Sequence, residues 1–228
     1  MTFSIIIPTF NEAANIGRLV QDLMAWGHSS EIIVVDGGSA DQTVEVARKA
    51  GAVVLLSPRP GRAAQMNFAA RHASGQVLYF VHADVKINPH FINDIQQAIR
   101  EGYEAGCYRF RFDSPHPMLR FNSFGTRFGG LMSRGGDQTL FITRSLFDRL
   151  AGFDERYVIM EDFDIIVRIR KQARFRIIPK DVVVSARKYE LNSWLKVQLA
   201  NLTAFTMFFL RMPPRRIART YQLMLTSR

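Results

Sequence analysis

Two short apolar runs near the N-terminus set the pattern of this chain: SIIIPTFNE over residues 4–12 and EIIVVDGGSADQT over residues 31–43. Each breaks abruptly into Pro, Gly, Ser, Asn and Asp and then into helix-like spacing, as strands buried on both faces of a parallel sheet do. Ile16, Leu19, Val20, Leu23 and Met24 follow the first run at i, i+3, i+4, i+7 and i+8, which predicts an amphipathic helix of about three turns. Residues 41–50 predict a second helix, entered through Ser39 or Asp41 as N-cap and ended by Gly51. A strand over 52–56, a helix from about 62 to 72 stopped by Ser74-Gly75, and a buried strand over 77–81 come next, with His82-Ala83-Asp84 at its carboxyl end. Asn88 as N-cap and Pro89 at N1 open a helix carrying Ile92, Ile95 and Ile99.

Four β-α repeats in the first 100 residues predict a parallel sheet with right-handed crossovers. Beyond them the spacing changes. Residues 105–112 and 139–142 alternate like strands of a more open sheet, with a helical stretch over 117–132 between them. A helix over 161–170, short strands over 175–178 and 182–184, and a last helix over 194–210 complete the chain, with no internal repeat, low-complexity tract or linker.

Composition narrows the class. The 228 residues are 47% hydrophobic and 22% charged, which fits one globular α/β domain with a sizeable core. Cys107 stands alone, so neither a disulfide framework nor a CxxC metal site can form within the chain, and a reducing, cytoplasmic setting is expected. The segment MTFSIIIP has no basic n-region and too short an apolar run for a signal peptide or a membrane span. The net charge of +10 is concentrated over 168–176, with five basic residues, and over 211–219, with four arginines. No nucleic-acid reader motif accompanies them and aromatics are not interleaved as a stacking platform requires, so no nucleic-acid partner is expected. An anionic membrane surface, a phosphate-bearing substrate or a plain solvated face remains.

In an open α/β sheet ligands bind beyond the carboxyl ends of the strands, which groups Thr9, Asn11, Glu12, Asp36 and Ser39. Asp36 can accept from a base N–H or a ribose hydroxyl, with Gly37-Gly38 allowing close approach, or it merely closes the loop as an Asx-turn. GxGxxG and GxxxxGK[ST] are both absent, which disfavours an NAD-type site and a P-loop. Asp84, tipping the apolar strand VLYFVHAD, is placed either to hold a divalent cation on a diphosphate or as an ordinary polar strand end. His82 would contact sugar or metal beside it. Glu161 and Asp162, opening a helix, either complement its dipole or supply a general base to an acceptor hydroxyl. Arg62, Gln65 and Asn67 at a helix start suit an anion, and Arg134 to Gln138 and Arg187-Lys188 form further polar or basic turns.

As a set, IIIPTFNE, EIIVVDGGSADQT, GRAAQMN, HAD, GDQTLF and MEDFD, spread from Ile5 to about Pro179, resemble glycosyltransferase family 2, inverting enzymes of the GT-A fold. The chain looks most like a short bacterial subgroup associated with radical-SAM and selenium-related gene neighbourhoods, in which HAD stands where most relatives have DxD. The resemblance implies a GT-A-like three-layer α/β/α sandwich, its N-terminal half a Rossmann-like, mainly parallel sheet and its C-terminal half mixed. It implies a single domain with a nucleotide-binding half (1–100), an acceptor-side half (101–190) and a C-terminal amphipathic helical extension (191–228). Pro8, Thr9, Glu12, Asp36, Gly37, Arg62, Asn67 and His82 would line the nucleotide pocket, and Asp84 would hold Mg2+ or Mn2+. Asp162, with Glu161, would supply the base, Asp137, Gln138 and Arg187 would meet sugar or acceptor, and the metal, Arg62 and in one reading Arg187 would stabilise the leaving diphosphate. His82 in place of the first aspartate of DxD, and Lys86 in place of a further acid, leave Asp84 as the one evident protein ligand. The implied reaction is a single in-line displacement from a nucleotide-sugar donor, UDP preferred and GDP next, to an unknown hydroxyl acceptor, lipid-linked in one reading.

Residues 199–210 are apolar nearly all round but too short to span a bilayer, and Pro213-Pro214 and arginines follow. An interfacial helix with arginines on anionic headgroups, giving peripheral contact through 199–219 at the inner face of the membrane, and a helix packed on the sheet or on a second subunit as a homodimer are the two readings. Two other functions are weighed against the transferase. One is a catalytically idle nucleotide-binding or membrane-associated scaffold. The other is a sugar-phosphate nucleotidyltransferase, which would want a Gly-rich basic loop where PTFNEAAN stands.

Overall fold

The apolar runs become the inner strands of one sheet. The computed structural model describes residues 1–27, 30–128, 130 and 139–226, in which seven strands lie in the order β3-β2-β1-β4-β6-β5-β7. Here β1 (Phe3–Thr9), β2 (Glu31–Asp36), β3 (Val53–Leu56) and β4 (Val77–Phe80) run parallel. β6 (Leu140–Thr143) is antiparallel to β4 and to β5 (Ala105–Phe112), and β7 (Phe175–Val184) pairs parallel with β5. The parallel N-terminal half and the mixed C-terminal half are those the sequence predicts.

Successive side chains of a strand point to opposite faces, and β1 shows how that builds three layers. Ile5 and Ile7 pack with α1 (Ala13–Trp26) and α4 (Phe91–Arg100) on one face. Ile6 packs on the other with α3 (Arg62–His72), α6 (Arg144–Arg149) and α7 (Glu161–Gln172). Ile16, Leu19, Val20 and Leu23 of α1 are buried as their spacing requires, whereas Met24 is exposed.

Some boundaries differ from expectation. α2 (Thr43–Lys49) starts after the Asp41 carboxylate has accepted from Thr43 N and Ala13 N, so Asp41 closes a turn and is not the cap. Asn88 likewise accepts from His90 N in a turn, and α4 begins at Phe91. The two short strands expected over 175–178 and 182–184 are one, β7. Its register against β5 slips between Tyr108 and Arg109, where Pro179 and Lys180 both go unmatched and Pro179 has no N–H to give the ladder. α5 (Pro117–Gly125) takes the first part of the expected 117–132 helix. α6, α8 (Arg187–Leu191) and α10 (Pro214–Met224) are helices that the apolar spacing did not announce.

The last long helix, α9 (Trp194–Phe209), packs on its own domain. Ala204, Phe205 and Met207 meet Met160 and Phe163 at the start of α7 and Ile217 of α10. Its other side leaves Leu195, Leu199, Leu202 and Phe209 exposed. Among the described residues no helix is long and apolar enough to cross a membrane. The basic run over 168–176 is largely engaged within the protein. Arg168 pairs with Asp164 and donates to the Leu150 and Gly152 carbonyls, Arg170 stacks on Phe175, and Arg174 and Arg176 lie over Tyr103.

Candidate active site

The chain leaves β1 toward β2 through α1 and later enters β4, on the other side of β1, through α3. That reversal opens a crevice at the carboxyl ends of β1 and β4, where open α/β sheets bind ligands. A cleft of about 480 Å³ lies there, and its walls include Pro8, Thr9, Glu12, Gly37, Arg62, His82, Asp84 and Arg187.

A buried amide holds the cleft floor. Gln65 Nε2 donates to the Thr9 carbonyl at 2.7 Å and to the Val35 carbonyl at 2.9 Å, locking the ends of β1 and β2 together. A Cβ on Gly37 would stand 2.8 Å from that same nitrogen, so only glycine lets the loop lie against Gln65. Asp36 is buried behind this surface. Its Oδ2 accepts from the backbone N–H of Gly38 and of Ser39, both at 2.9 Å, and Oδ1 accepts from the Ser39 hydroxyl. Asp36 therefore shapes the loop and is not on the cleft wall. Asn67 also lies off the wall, because its side chain is paired with both the N–H and the carbonyl of Phe153, each at 2.9 Å. Both residues are expected at the nucleotide, and in the structure both satisfy backbone groups that would be costly to leave unpaired.

At the mouth, Arg187 Nη2 lies 2.8 Å from Glu12 Oε1 and 3.4 Å from Asp84 Oδ2. The Glu12 carboxylate raises the Arg187 pKa further. Arg187, expected at sugar or acceptor and on the leaving diphosphate, faces this cleft, because α8 starts where β7 delivers it opposite β1 and β4. His82 is neutral at physiological pH, since burial, with the Arg62 charge adding to it, pushes its imidazole down to about 3. Among the described residues no group of three His, Cys, Asp or Glu side chains is arranged to hold a metal ion. Asp84 can offer a cation one carboxylate, which fits an ion whose remaining ligands are substrate phosphates and water, as Mg2+ is commonly held.

A second cavity, of about 610 Å³, adjoins the first, and Arg62 is in the wall of both. Phe110, Phe112, Phe121, Phe124, Phe163 and Phe205 give it an aromatic lining, and Glu161 and Asp162 stand in its wall. The chain enters α7 through Met160 in the left-handed region, φ 72°, an uncommon conformation for a side-chain-bearing residue that tends to mark functional sites. Glu161 is 2% exposed, with Arg62 Nη1 at 3.3 Å from its Oε1, and Asp162 is the more open of the two, with Arg62 Nη1 at 3.9 Å. Glu161 is thus the carboxylate matched to Arg62, and Asp162 the one that a molecule in the cavity can reach. Across the cavity the Lys188 ammonium meets the Tyr221 hydroxyl and lies near its ring. Tyr189 and Tyr221 are site-forming residues that the sequence did not single out, and Gln65, expected with Arg62 at an anion, has its amide nitrogen on the Thr9 and Val35 carbonyls. Asp137 and Gln138, expected near sugar or acceptor, lie outside the described residues.

A seven-stranded, mostly parallel sheet with a crevice at its switch point is a GT-A-like architecture. A mannosyltransferase from Pyrobaculum calidifontis, solved with GDP-Man and Mn2+, superposes with a TM-score of 0.72 at 19% identity, over 97% of this chain and 69% of that one. Residues 4–158 match glycosyl transferase family 2, and the chain belongs to that family. Among curated relatives, glycosyltransferase AglJ of Haloferax volcanii is 30% identical over 125 residues, 54% of this chain and 41% of AglJ. A dolichol-phosphate mannosyltransferase of Pyrococcus furiosus is 32% identical over 109 residues, 45% of this chain and 31% of the relative. The chain therefore spans less than half the length of either relative.

Proposed function

We propose that the protein is an inverting glycosyltransferase that moves a sugar from a nucleoside-diphosphate donor, UDP-linked before GDP-linked, to a hydroxyl or phosphate oxygen of an acceptor. The observation that carries this reading is the adjacency of two cavities at Arg62, one with diphosphate-binding chemistry and the other with a reachable carboxylate. The donor diphosphate would lie in the strand-end cleft, against Arg62 and Arg187. A divalent cation held by Asp84 and the phosphates would neutralise the leaving group. The acceptor oxygen, entering from the aromatic cavity, attacks the anomeric carbon as the bond to the diphosphate breaks. Asp162 takes the proton when the acceptor is a hydroxyl, and Glu161 fixes Arg62 beside both groups. Positioning and charge stabilisation supply most of the acceleration in such a displacement.

The aromatic cavity and the relative named for dolichol phosphate support a lipid-linked acceptor, with peripheral membrane contact through 199–219. HAD in place of DxD supports the radical-SAM-associated subgroup. The test is release of UDP or GDP from a panel of nucleotide sugars, with water as the default acceptor, by wild type and Asp162→Asn. Turnover of one donor that drops at least about a hundredfold in the variant supports the reading. The Arg187–Asp84 ion pair favours a second reading, an idle nucleotide-binding scaffold, because it occupies the carboxylate a cation would use. Nucleotide binding with no release from any donor would establish that scaffold instead.

A further inference from the structure

Helix α5 carries an exposed apolar side. Met118 is 47% exposed, Phe121 72%, Phe124 51% and Phe128, just past the helix, 60%. Their spacing keeps them on one side of the helical path. Beside them runs a groove of about 920 Å³ walled by Lys86, Arg111, Arg120 and Arg127 against two carboxylates, Asp113 and Asp181. Among the described residues none of these four cations is in an ion pair, whereas most of the 168–176 run is engaged within the fold. The Arg127 guanidinium lies 5.2 Å from the centre of the Phe124 ring. Phe121 and Phe124 line both this basic groove and the aromatic cavity that holds Asp162.

We propose that α5 and the basic groove dock the protein on an anionic phospholipid bilayer. Phe121 and Phe124 enter the boundary between headgroups and acyl chains, and Lys86, Arg111, Arg120 and Arg127 meet the lipid phosphates. Exposed aromatic rings beside cations that form no ion pair among the described residues are the combination that binds such an interface, each basic side chain adding electrostatic attraction within a Debye length of the surface. The charge excess of the groove selects an anionic surface over a neutral one. This surface uses residues other than 199–219 and stands whether or not the chain is a transferase. If it is one, docking brings the wall of the aromatic cavity to the bilayer.

The test is co-sedimentation of the full chain with vesicles of phosphatidylcholine alone and of phosphatidylcholine mixed with phosphatidylglycerol. Wild type should bind the anionic vesicles and be released by salt. Arg120→Gln with Arg127→Gln should weaken partitioning by roughly tenfold or more. Phe121→Ser with Phe124→Ser should also weaken it, and melting temperatures confirm that each variant folds. Three results would overturn the proposal: wild type staying in solution with both vesicles, equal binding to both, or α5 variants that bind like wild type while Arg215→Gln with Arg216→Gln does not. A lipid-free dimer that the α5 substitutions dissociate would assign the surface to a second copy and also overturn it. Nucleotide titration of the same proteins separates the two claims, because a wild type that binds vesicles but no nucleotide refutes the donor site alone.

Discussion

Arg62 Nη1 stands 3.3 Å from Glu161 Oε1, joining the first turn of α3 to the first turn of α7 across the boundary between the two cavities. The helices lie on the same face of the sheet, so the pair depends on packing and not on neighbouring sequence. Glu161 is almost fully buried, and its charge is tolerated there because the guanidinium answers it.

This arrangement separates the two carboxylates experimentally. Glu161→Gln leaves Arg62 without its matched charge and should lower both the melting temperature and turnover. Asp162→Asn should cut kcat by about 10²- to 10⁴-fold with little change in melting temperature or nucleotide affinity. Thermal melts and steady-state kinetics on the two variants check it, and equal destabilisation by both would contradict the assignment.

Arg187 is held by Glu12 and Asp84 and faces the cleft. Arg187→Ala removes a cation from the proposed diphosphate site and leaves two carboxylates facing each other. Nucleoside-diphosphate affinity should fall roughly 10- to 100-fold, the value of a charge-assisted hydrogen bond. Binding of Mn2+ to the nucleotide-free protein should strengthen, since the Arg187 cation no longer competes for Asp84. Titration calorimetry measures both.

Gln65 and Gly37 bear on the shape of the cleft and not on its charge. Gln65→Leu strips the donor from the buried Thr9 and Val35 carbonyls and should cost about 1–3 kcal/mol for each, read as a lower denaturation midpoint. Gly37→Ala presses a methyl group against the same amide and should weaken nucleotide binding without removing any charged group.

His82 makes a pH prediction. Its pKa falls from 6.5 to about 3 on folding, so the unfolded chain binds the proton more tightly. The stabilisation is present above about 6.5 and is lost as pH falls toward 3. His82→Gln should flatten that part of the melting-temperature profile, and the activity profile should show no histidine titration assignable to His82.

Much of this was legible in the residues. Continuous apolar runs ending in turn residues located β1, β2 and β4, and the strand-end rule then grouped Thr9, Asn11, Glu12, Asp36 and Ser39, of which Thr9 and Glu12 line the cleft while Asp36 and Ser39 are hydrogen-bonded to each other in the loop behind it. The backbone hydrogen bonds of Asp36 and Asn67 were not legible in the sequence, because a carboxylate or amide that caps backbone groups uses the same residue types as one that binds substrate. The Arg187–Glu12 pair spans 175 positions, which no local pattern can reveal. α10 was hidden by Pro213-Pro214, read as an ending although proline at N1 also starts helices. The basic groove escaped notice because Lys86, Arg111, Arg120 and Arg127 are scattered along the chain and no run of charge marks them.

The most direct test of the donor site is isothermal titration of the full chain with UDP and with GDP, with and without Mn2+, in wild type and Asp84→Ala. The account predicts binding of one nucleotide that strengthens with Mn2+ and loses that strengthening in the variant. A folded wild type that binds neither nucleotide, with or without the metal, would contradict it.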